Sequence, residues 1–349
     1  MSPIKILSLP SYHPYILKFN HHAAIEFINP DCDFFGSDTL HSPEYLDKHF
    51  PPNLYDIVHI HFEYYLWSLS QLKNLIIYFK KHHKPIVWTW HDRGNLLKRE
   101  YDQGYELLLF NSADKIITLS NGMKSWIIKS YGFHKNQIDV IPSGYISSPD
   151  SVRSIANKIK KQRTLFTMLI GDFRESKEYL QSIISFLDCS ELESATLQLI
   201  FRPFSIYSSN SIKINERLIA FHNLLNHPRI KIFSKPEFSD LEMTKAFYKS
   251  HAVILPYLWG THSGQIELAK DCGCHVVVSD VGFYDEQWDK LALYSIKDVA
   301  RIPTNYTKAL VKVYTTISIQ PIGTTRKKEF KKILDSHVKI YRSLLGRNV

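Results

Sequence analysis

The chain is poor in the residues and runs that mark several common protein classes. Only four cysteines occur in 349 residues. Cys272 and Cys274 stand one residue apart, too close for an ordinary metal pair, and Cys32 and Cys189 have no such neighbour. This excludes a disulfide framework and points to reduced, mostly buried thiols without structural zinc. No apolar run approaches the roughly 18 residues of a membrane span, and the stretch from Ala252 to Trp259 is a short one. The opening MSPIKILSLPSYHP has one early lysine and then Pro10, without the apolar region of a secretory signal, and reads as a first strand. Glycine is scarce, 13 in all. No G-x-x-x-x-G-K-[ST], no G-x-G-x-x-G after the first strand and no G-x-S-x-G are present. These absences argue against a P-loop hydrolase, a dinucleotide dehydrogenase and an elbow-type esterase. The expected compartment is the cytoplasm.

Acidic residues are outnumbered, 34 to 43, for a formal net charge of +9. Much of the excess lies in two runs, Arg153 to Arg163 and Arg326 to Lys339. Such runs are either solvated surface or a patch drawn to an anionic membrane at the inner face of the plasma membrane. No nucleic-acid motif accompanies them.

A length of 349 residues with 44% hydrophobic content is natural for two globular domains. Short apolar runs alternate with helical stretches. Strands are expected at Lys5–Pro10, Tyr55–Phe62, Lys84–Asp92, Asp114–Ser120 and Ile138–Tyr145, with helices at Leu69–His83, Glu100–Asn111 and Asn121–Gly132. The pattern restarts after a Ser-rich, then basic stretch, part of it readable as helix. Strands follow at Thr164–Phe173, Thr196–Phe204, Arg229–Lys235, His251–Tyr257 and Cys274–Asp280. Helices lie near Lys177–Leu187, Ser239–Lys249 and His262–Asp271. The expected division is a domain at 1–148, a linker at 149–163, a second domain at 164–300 and a helical tail at 301–349 that packs back on the first domain. Strand–helix alternation implies parallel sheets covered on both faces, and ligands collect at strand C-terminal ends in such folds.

The segment from His262 to Asp280 carries the sharpest signal. His262, Ser263 and Gly264 enter a helix, where free N–H groups and the helix dipole favour a phosphate. Glu267 in that helix either caps the first turn or accepts from a ribose diol, which a carboxylate matches well. Gly171 ends a strand, with Arg174 and Lys177 close behind it and Arg202 ending another. Together these cations either are surface charge or neutralise a diphosphate. Tyr257 closes the preceding strand. In the first half, His91 and His61 end strands and Glu63 follows, and each is a candidate acid or base. His59 shares a face with His61 and reads as a packed residue. Tyr64, Tyr65 and Trp67 either stack on sugar faces or pack the wall.

These segments, YDIVHIH, KPIVWTWHD, ADKIITLSNGMKSWIIKSYG with KNQIDVIPSGY, IGDFRESK and AFYKSHAVILPYLWGTHSGQIELAKDCGCHVVVSDVGFYDE, resemble the GT-B glycosyltransferases, especially the retaining family 4 group, over about residues 1 to 290. The resemblance implies two Rossmann-like domains facing across a cleft. It also implies a nucleoside diphosphate sugar such as a UDP- or GDP-sugar as donor, no metal cofactor, and a glycan or lipid-linked saccharide as acceptor in surface polysaccharide synthesis. Under it, Lys177 contacts the donor diphosphate and Glu267 binds ribose. His91 lies near the acceptor and the transferred sugar. The family arginine falls on Asp172, with Arg174 as its replacement, and the first glutamate of the family pair falls on Trp259. PSYHPY (Pro10 to Tyr15) replaces a glycine-rich loop and makes His13 a candidate substrate contact. An inverting enzyme of the same fold, resembling glucuronosyl- or mannosyltransferases, would need His61, Glu63 or His91 as base. A UDP-sugar epimerase and a non-catalytic glycan-binding protein are the other readings.

Overall fold

The computed structural model describes residues 2–11, 13–29, 42–62, 64–91, 103–132, 135–171, 173, 176–203, 219–295 and 304–346. The chain divides into two compact units, one of residues 1–144 with 328–349 and one of residues 145–327. The first comprises β1 (Ile4–Leu9), α1 (Pro14–Leu17), β2 (Ile25–Phe27), α2 (Pro43–His49), β3 (Ile57–Ile60), α3 (Leu69–Lys81), β4 (Ile86–Trp90), α4 (Gln103–Ser112), β5 (Lys115–Thr118), α5 (Asn121–Tyr131) and β6 (Ile138–Val140). Next come α6 (Pro149–Ala156), β7 (Gln162–Gly171), α7 (Tyr179–Asp188), β8 (Thr196–Phe201), β9 (Ile230–Ser234), α8 (Asp240–Lys249), β10 (Ser250–Leu255), α9 (Gly264–Cys272), β11 (His275–Ser279), β12 (Leu291–Tyr294) and α10 (Thr304–Thr315). The last helix, α11 (Gly323–Leu344), contains the second division point.

Among the described residues each unit holds one six-stranded sheet, ordered β2-β1-β3-β4-β5-β6 and β12-β11-β10-β7-β8-β9. Every ladder is parallel. Parallel neighbours need crossover connections, which is what the alternating pattern supplies. Read from its other edge, the second sheet has the doubly wound order of a dinucleotide fold. In each unit the first strand lies where the winding direction reverses, β1 beside β3 and β7 beside β10. Two Rossmann-like parallel-sheet units in series are the GT-B architecture.

The continuous apolar run in β10 follows from burial on both faces. Ala252 and Ile254 pack into one core with Phe166, Met168 and Leu310. Val253 and Leu255 point the other way, into a core with Phe247, Ile266 and Tyr284. Helix starts follow local chemistry. Ser68 with Gln71 and Ser239 with Glu242 form reciprocal capping boxes at α3 and α8. The segment expected as a linker contains α6, capped by Ser148 with Pro149 at its first turn. Its Val152 and Ile155 are buried, and this apolar spacing is what draws it into a unit. β2 and β12, three and four residues long, have too few positions for a readable alternation. From Lys328 on, α11 belongs with the first unit. Phe330 lies beside Gly144, and the Tyr341 hydroxyl meets His59 Nδ1 at 2.7 Å.

α9 ends at Gly273, in the left-handed region at φ 63°. A Cβ there would lie 2.7 Å from backbone atoms of Gln320 and Pro321. Left-handed backbone costs an L-residue roughly 1–2 kcal/mol before any clash. Gly273→Ala is therefore expected to lower the melting temperature by about 5 °C or more, measured by circular dichroism, whereas Gly132→Ala, with no atom of the described residues within 4 Å, is expected to cost only the backbone term.

Candidate functional site

In the second unit the predicted residues gather at the reversal of the sheet. Gly171 ends β7, and after the turn Lys177 pairs with Tyr257 in a short antiparallel bridge. The bridge is held by Leu258 N–H to Ser176 O at 2.7 Å and Glu178 N–H to Pro256 O at 2.7 Å. Lys177 is buried. Its Nζ donates to Leu169 O at 2.6 Å, reaches Gln265 Oε1 at 3.5 Å and lies 5.2 Å from the centre of the Tyr257 ring. Gly171 and Lys177 are thus fixed on one strand end, and exposed Arg202 joins them through its N–H to Gly171 O at 3.1 Å. Arg174 lies outside the described residues.

A hydrogen-bonded chain leads from Tyr257 to Glu267. The Tyr257 hydroxyl is 2.9 Å from Ser263 Oγ, and that oxygen caps α9 by accepting from Gln265 N at 3.2 Å. The Gln287 amide grips Ser263 on both sides, accepting from its N–H at 2.9 Å and donating to its carbonyl at 3.1 Å. It also donates to Glu267 Oε1 at 3.2 Å. The Ser263 N–H expected to face phosphate is therefore engaged by Gln287, whereas the Gly264 N–H donates to no such partner among the described residues. His262 Nε2 stands 3.8 Å from Glu267 Oε1. The loop carrying these residues touches its neighbour backbone to backbone. A Cβ on Gly282 would fall 2.2 Å from Gly260 O, so only glycine fits there. Half-buried Trp259 precedes that loop.

Glu267 is only 4% exposed, and so is Asp271 one turn on. Arg326, 3% exposed, lies between them. Its Nη2 donates to Glu267 Oε2 and its Nε to Asp271 Oδ1, both at 2.7 Å. Asp271 Oδ2 in turn accepts from the N–H groups of Ile146 at 2.7 Å and Ser147 at 3.0 Å. Burial works to raise the Glu267 carboxyl, and His262 with the Arg326 charge overrides it and holds the group near 2. Burial pushes Asp271 up to about 6 against the pull of Arg326. Removing one partner from such a buried arrangement costs about 3–5 kcal/mol, because an uncompensated charge remains. Arg326, Asp271 and Gln287 were not among the candidates read from sequence. A signal existed for Arg326, which lies one turn before Phe330 on the stripe continued by Ile333, Leu334, His337 and Tyr341. An arginine on a buried stripe calls for an acidic partner.

The first unit brings His13, His61 and His91 together at the ends of β1, β3 and β4. His91 packs edge-on against Tyr15 at 4.4 Å and Phe62 at 5.0 Å. The His61 ring is 6.0 Å from that of His91 and stacks on His59 at 3.8 Å. His13 lies 4.5 Å from Phe62, and its Nδ1 accepts from Tyr15 N at 3.1 Å, starting α1. Neither ring nitrogen of His61 has a hydrogen-bond partner among the described residues, a cost that ordinary packing residues avoid. His59 behaves as a packed residue, bonded to Tyr341 and to Thr89 at 2.8 Å. Buried Lys18 donates to Ser143 O and lies 4.3 Å over the Tyr15 ring. Tyr64 is buried edge-on to Trp88 at 5.9 Å and so presents little face to a sugar. Tyr65 follows it in one turn of 3-10 helix. Glu63 lies outside the described residues. Among the described residues no group of three or more His, Cys, Asp or Glu side chains is placed to hold a metal ion.

Burial, then the charge of Lys18, lowers His13 to about 4. Burial also lowers His337 to about 4, against a bond to the Ile333 carbonyl. Burial and the neighbouring histidines hold His59 and His61 well below the usual value. All four are neutral at pH 7. The unfolded chain protonates them near 6.5, so their contribution is complete above about pH 6.5 and is lost as pH falls from there, through about 4 for His13 and His337 and lower still for His59 and His61. Denaturant unfolding is expected to show stability falling from about pH 7 to about pH 5. His337→Gln should shallow that slope by at most about 1.4 kcal/mol per pH unit.

The sequence profile of Glycosyltransferase Family 4 matches residues 14–146. Among curated proteins none matches the chain. Solved structures share the fold along its whole length. A sucrose-phosphate synthase from Thermosynechococcus elongatus is 13% identical, with 99% of this chain and 100% of that chain covered and a TM-score of 0.66. A glycosyltransferase from Rickettsia africae is 12% identical, with both chains covered at 100% and a TM-score of 0.57. Anabaena HepE, solved in complex with UDP, is 13% identical, with 96% and 100% covered and a TM-score of 0.53. At such identities the likeness is one of fold.

Proposed function

We propose that the chain is a glycosyltransferase that moves a sugar from a nucleoside diphosphate sugar to a hydroxyl of a glycan or lipid-linked saccharide, as in surface polysaccharide synthesis. The observation that carries this reading is the placement of Lys177 and Glu267 on one connected assembly at the reversal point of the second sheet. A cation near Gly171 suits a diphosphate, and a carboxylate in α9 suits a ribose diol. The family profile on the first unit and the fold of the UDP-bound Anabaena protein support the same assignment.

Transfer builds positive charge at the anomeric carbon and negative charge on the leaving diphosphate. Lys177, Arg174 and Arg202 would stabilise the latter, with the Gly264 N–H at the start of α9 adding a donor. In the retaining mode the leaving phosphate helps deprotonate the incoming hydroxyl. Inversion is the second reading, favoured by Trp259 standing where the resembling family has a glutamate. His91, His61 or Glu63 would then be the base. Comparing the anomeric configuration of donor and product decides between them. Release of free altered sugar without an acceptor would turn the assignment to an epimerase.

A thermal-shift screen of UDP-, GDP- and ADP-sugars should find one that raises the melting temperature, since a bound donor stabilises the fold. For that donor, Lys177→Ala and Glu267→Ala are each expected to weaken binding by about tenfold or more, the loss of one charge-assisted contact. Wild-type affinity in both folded variants removes the site assignment.

The outer face of α11 exposes Lys328, Lys331, Lys332 and Lys339, while neighbouring Lys327 bonds Asp150 at 2.8 Å. No helix among the described residues is long and apolar enough to cross a membrane. A peripheral anionic surface is the partner this stripe suits. Cosedimentation with vesicles containing phosphatidylglycerol is expected at low salt and should weaken at high salt. Salt-insensitive absence of binding rejects the membrane role.

A further inference from the structure

We propose that Arg326 is the positioning residue that aims Glu267 at the ribose of the donor nucleotide. The proposal rests on the reading of Glu267 as the ribose-binding carboxylate and assigns what makes that carboxylate fit for the task. A carboxylate offers two oxygens with two acceptor directions each. Here Oε2 is occupied by Arg326 Nη2 at 2.7 Å, and Oε1 receives Gln287 Nε2 at 3.2 Å. Both bonds come from buried or part-buried groups, so the carboxylate plane is set before a ligand arrives. The remaining acceptor capacity on Oε1 is what a ribose hydroxyl would meet. A preset acceptor binds better than one that must first be ordered.

Arginine suits this position for a geometric reason. Its planar fork spans two acceptors at fixed separation, with Nη2 on Glu267 and Nε on Asp271. Lysine has one nitrogen and cannot hold both in the same plane. Asp271 completes the clamp from behind, because its other oxygen is fixed by the N–H groups of Ile146 and Ser147. Arg326 stays in place through its own N–H bond to Ile322 O at 3.1 Å and its burial at 3% exposure. The side chain points away from solvent onto Glu267 and Asp271, so its effect on a ligand passes through Glu267.

The test compares a nucleotide with its deoxy analogue. Calorimetry would measure UDP or GDP, whichever binds, and the matching 2′,3′-dideoxy diphosphate, against the wild type and Arg326→Lys. The wild type is expected to prefer the ribonucleotide by about 30-fold, the worth of hydrogen bonds to a buried acceptor. In Arg326→Lys that preference should collapse to about threefold or less, while affinity for the dideoxy analogue stays unchanged. A general loosening of the unit would instead weaken both ligands together and overturn the proposal. A wild-type preference retained in full by Arg326→Lys overturns it as well. No preference in the wild type removes the ribose reading of Glu267 itself and the positioning role with it. Should Arg326→Lys fail to fold, the pair Arg326→Gln with Asp271→Asn serves. It leaves the summed formal charge of Glu267, Asp271 and Arg326 unchanged, and the same collapse is expected.

Discussion

One guanidinium shared by two buried carboxylates organises the second unit. Glu267 and Asp271 lie one turn apart on α9, both almost closed to solvent, and neither could stay there alone. Arg326 makes the pair tolerable and fixes their orientation. The same cluster fastens both points where the chain leaves this unit. Asp271 binds the backbone just after residue 144, and Arg326 sits just before residue 328. A buried ionic group is weak evidence for stability, but it specifies position. Here it ties α9 to the backbone at Ile146 and Ser147 and to the start of α11.

Around that cluster the candidate donor site is built from short-range chemistry. The bridge of Lys177 to Tyr257, the cap by Ser263 and the grip of Gln287 form a connected set. Each contact orders the next, so the cationic and carboxylate ends share one rigid frame. The first unit differs. Its strand-end residues are imidazoles and aromatic rings packed edge to face, with His61 left without hydrogen-bond partners among the described residues. One region gathers a cation and a carboxylate, whereas the other gathers imidazoles and aromatic faces.

Much of this was legible in the chain. Strands such as Ile86–Trp90 and Ser250–Leu255 announce themselves by apolar runs bounded by turn residues, and α3 and α8 by a serine followed three residues on by Gln or Glu. That Gly171, Lys177, Tyr257, Ser263 and Glu267 stand at strand ends and at a helix start could be read from the chain, because those boundaries follow from local pattern. Gln287 could not, because it follows a 3-10 turn in a loop and carries no periodicity. Arg326 was hidden for a different reason. It heads a basic run whose other lysines are exposed, and only the phase of α11 separates it from them.

Local pattern by itself determined the alternation of strands and helices, and with it two parallel sheets, because helix and strand periods are properties of neighbouring residues. It also determined which residues stand at strand ends. Only the tertiary structure decided that α6 joins a unit instead of spanning a gap, that the tail divides at Lys327, and that Glu267 is paired with an arginine 59 positions away. The reason is physical. A partner for a buried charge is chosen by distance in space and by exclusion of water, and neither quantity is written in the order of residues along the chain.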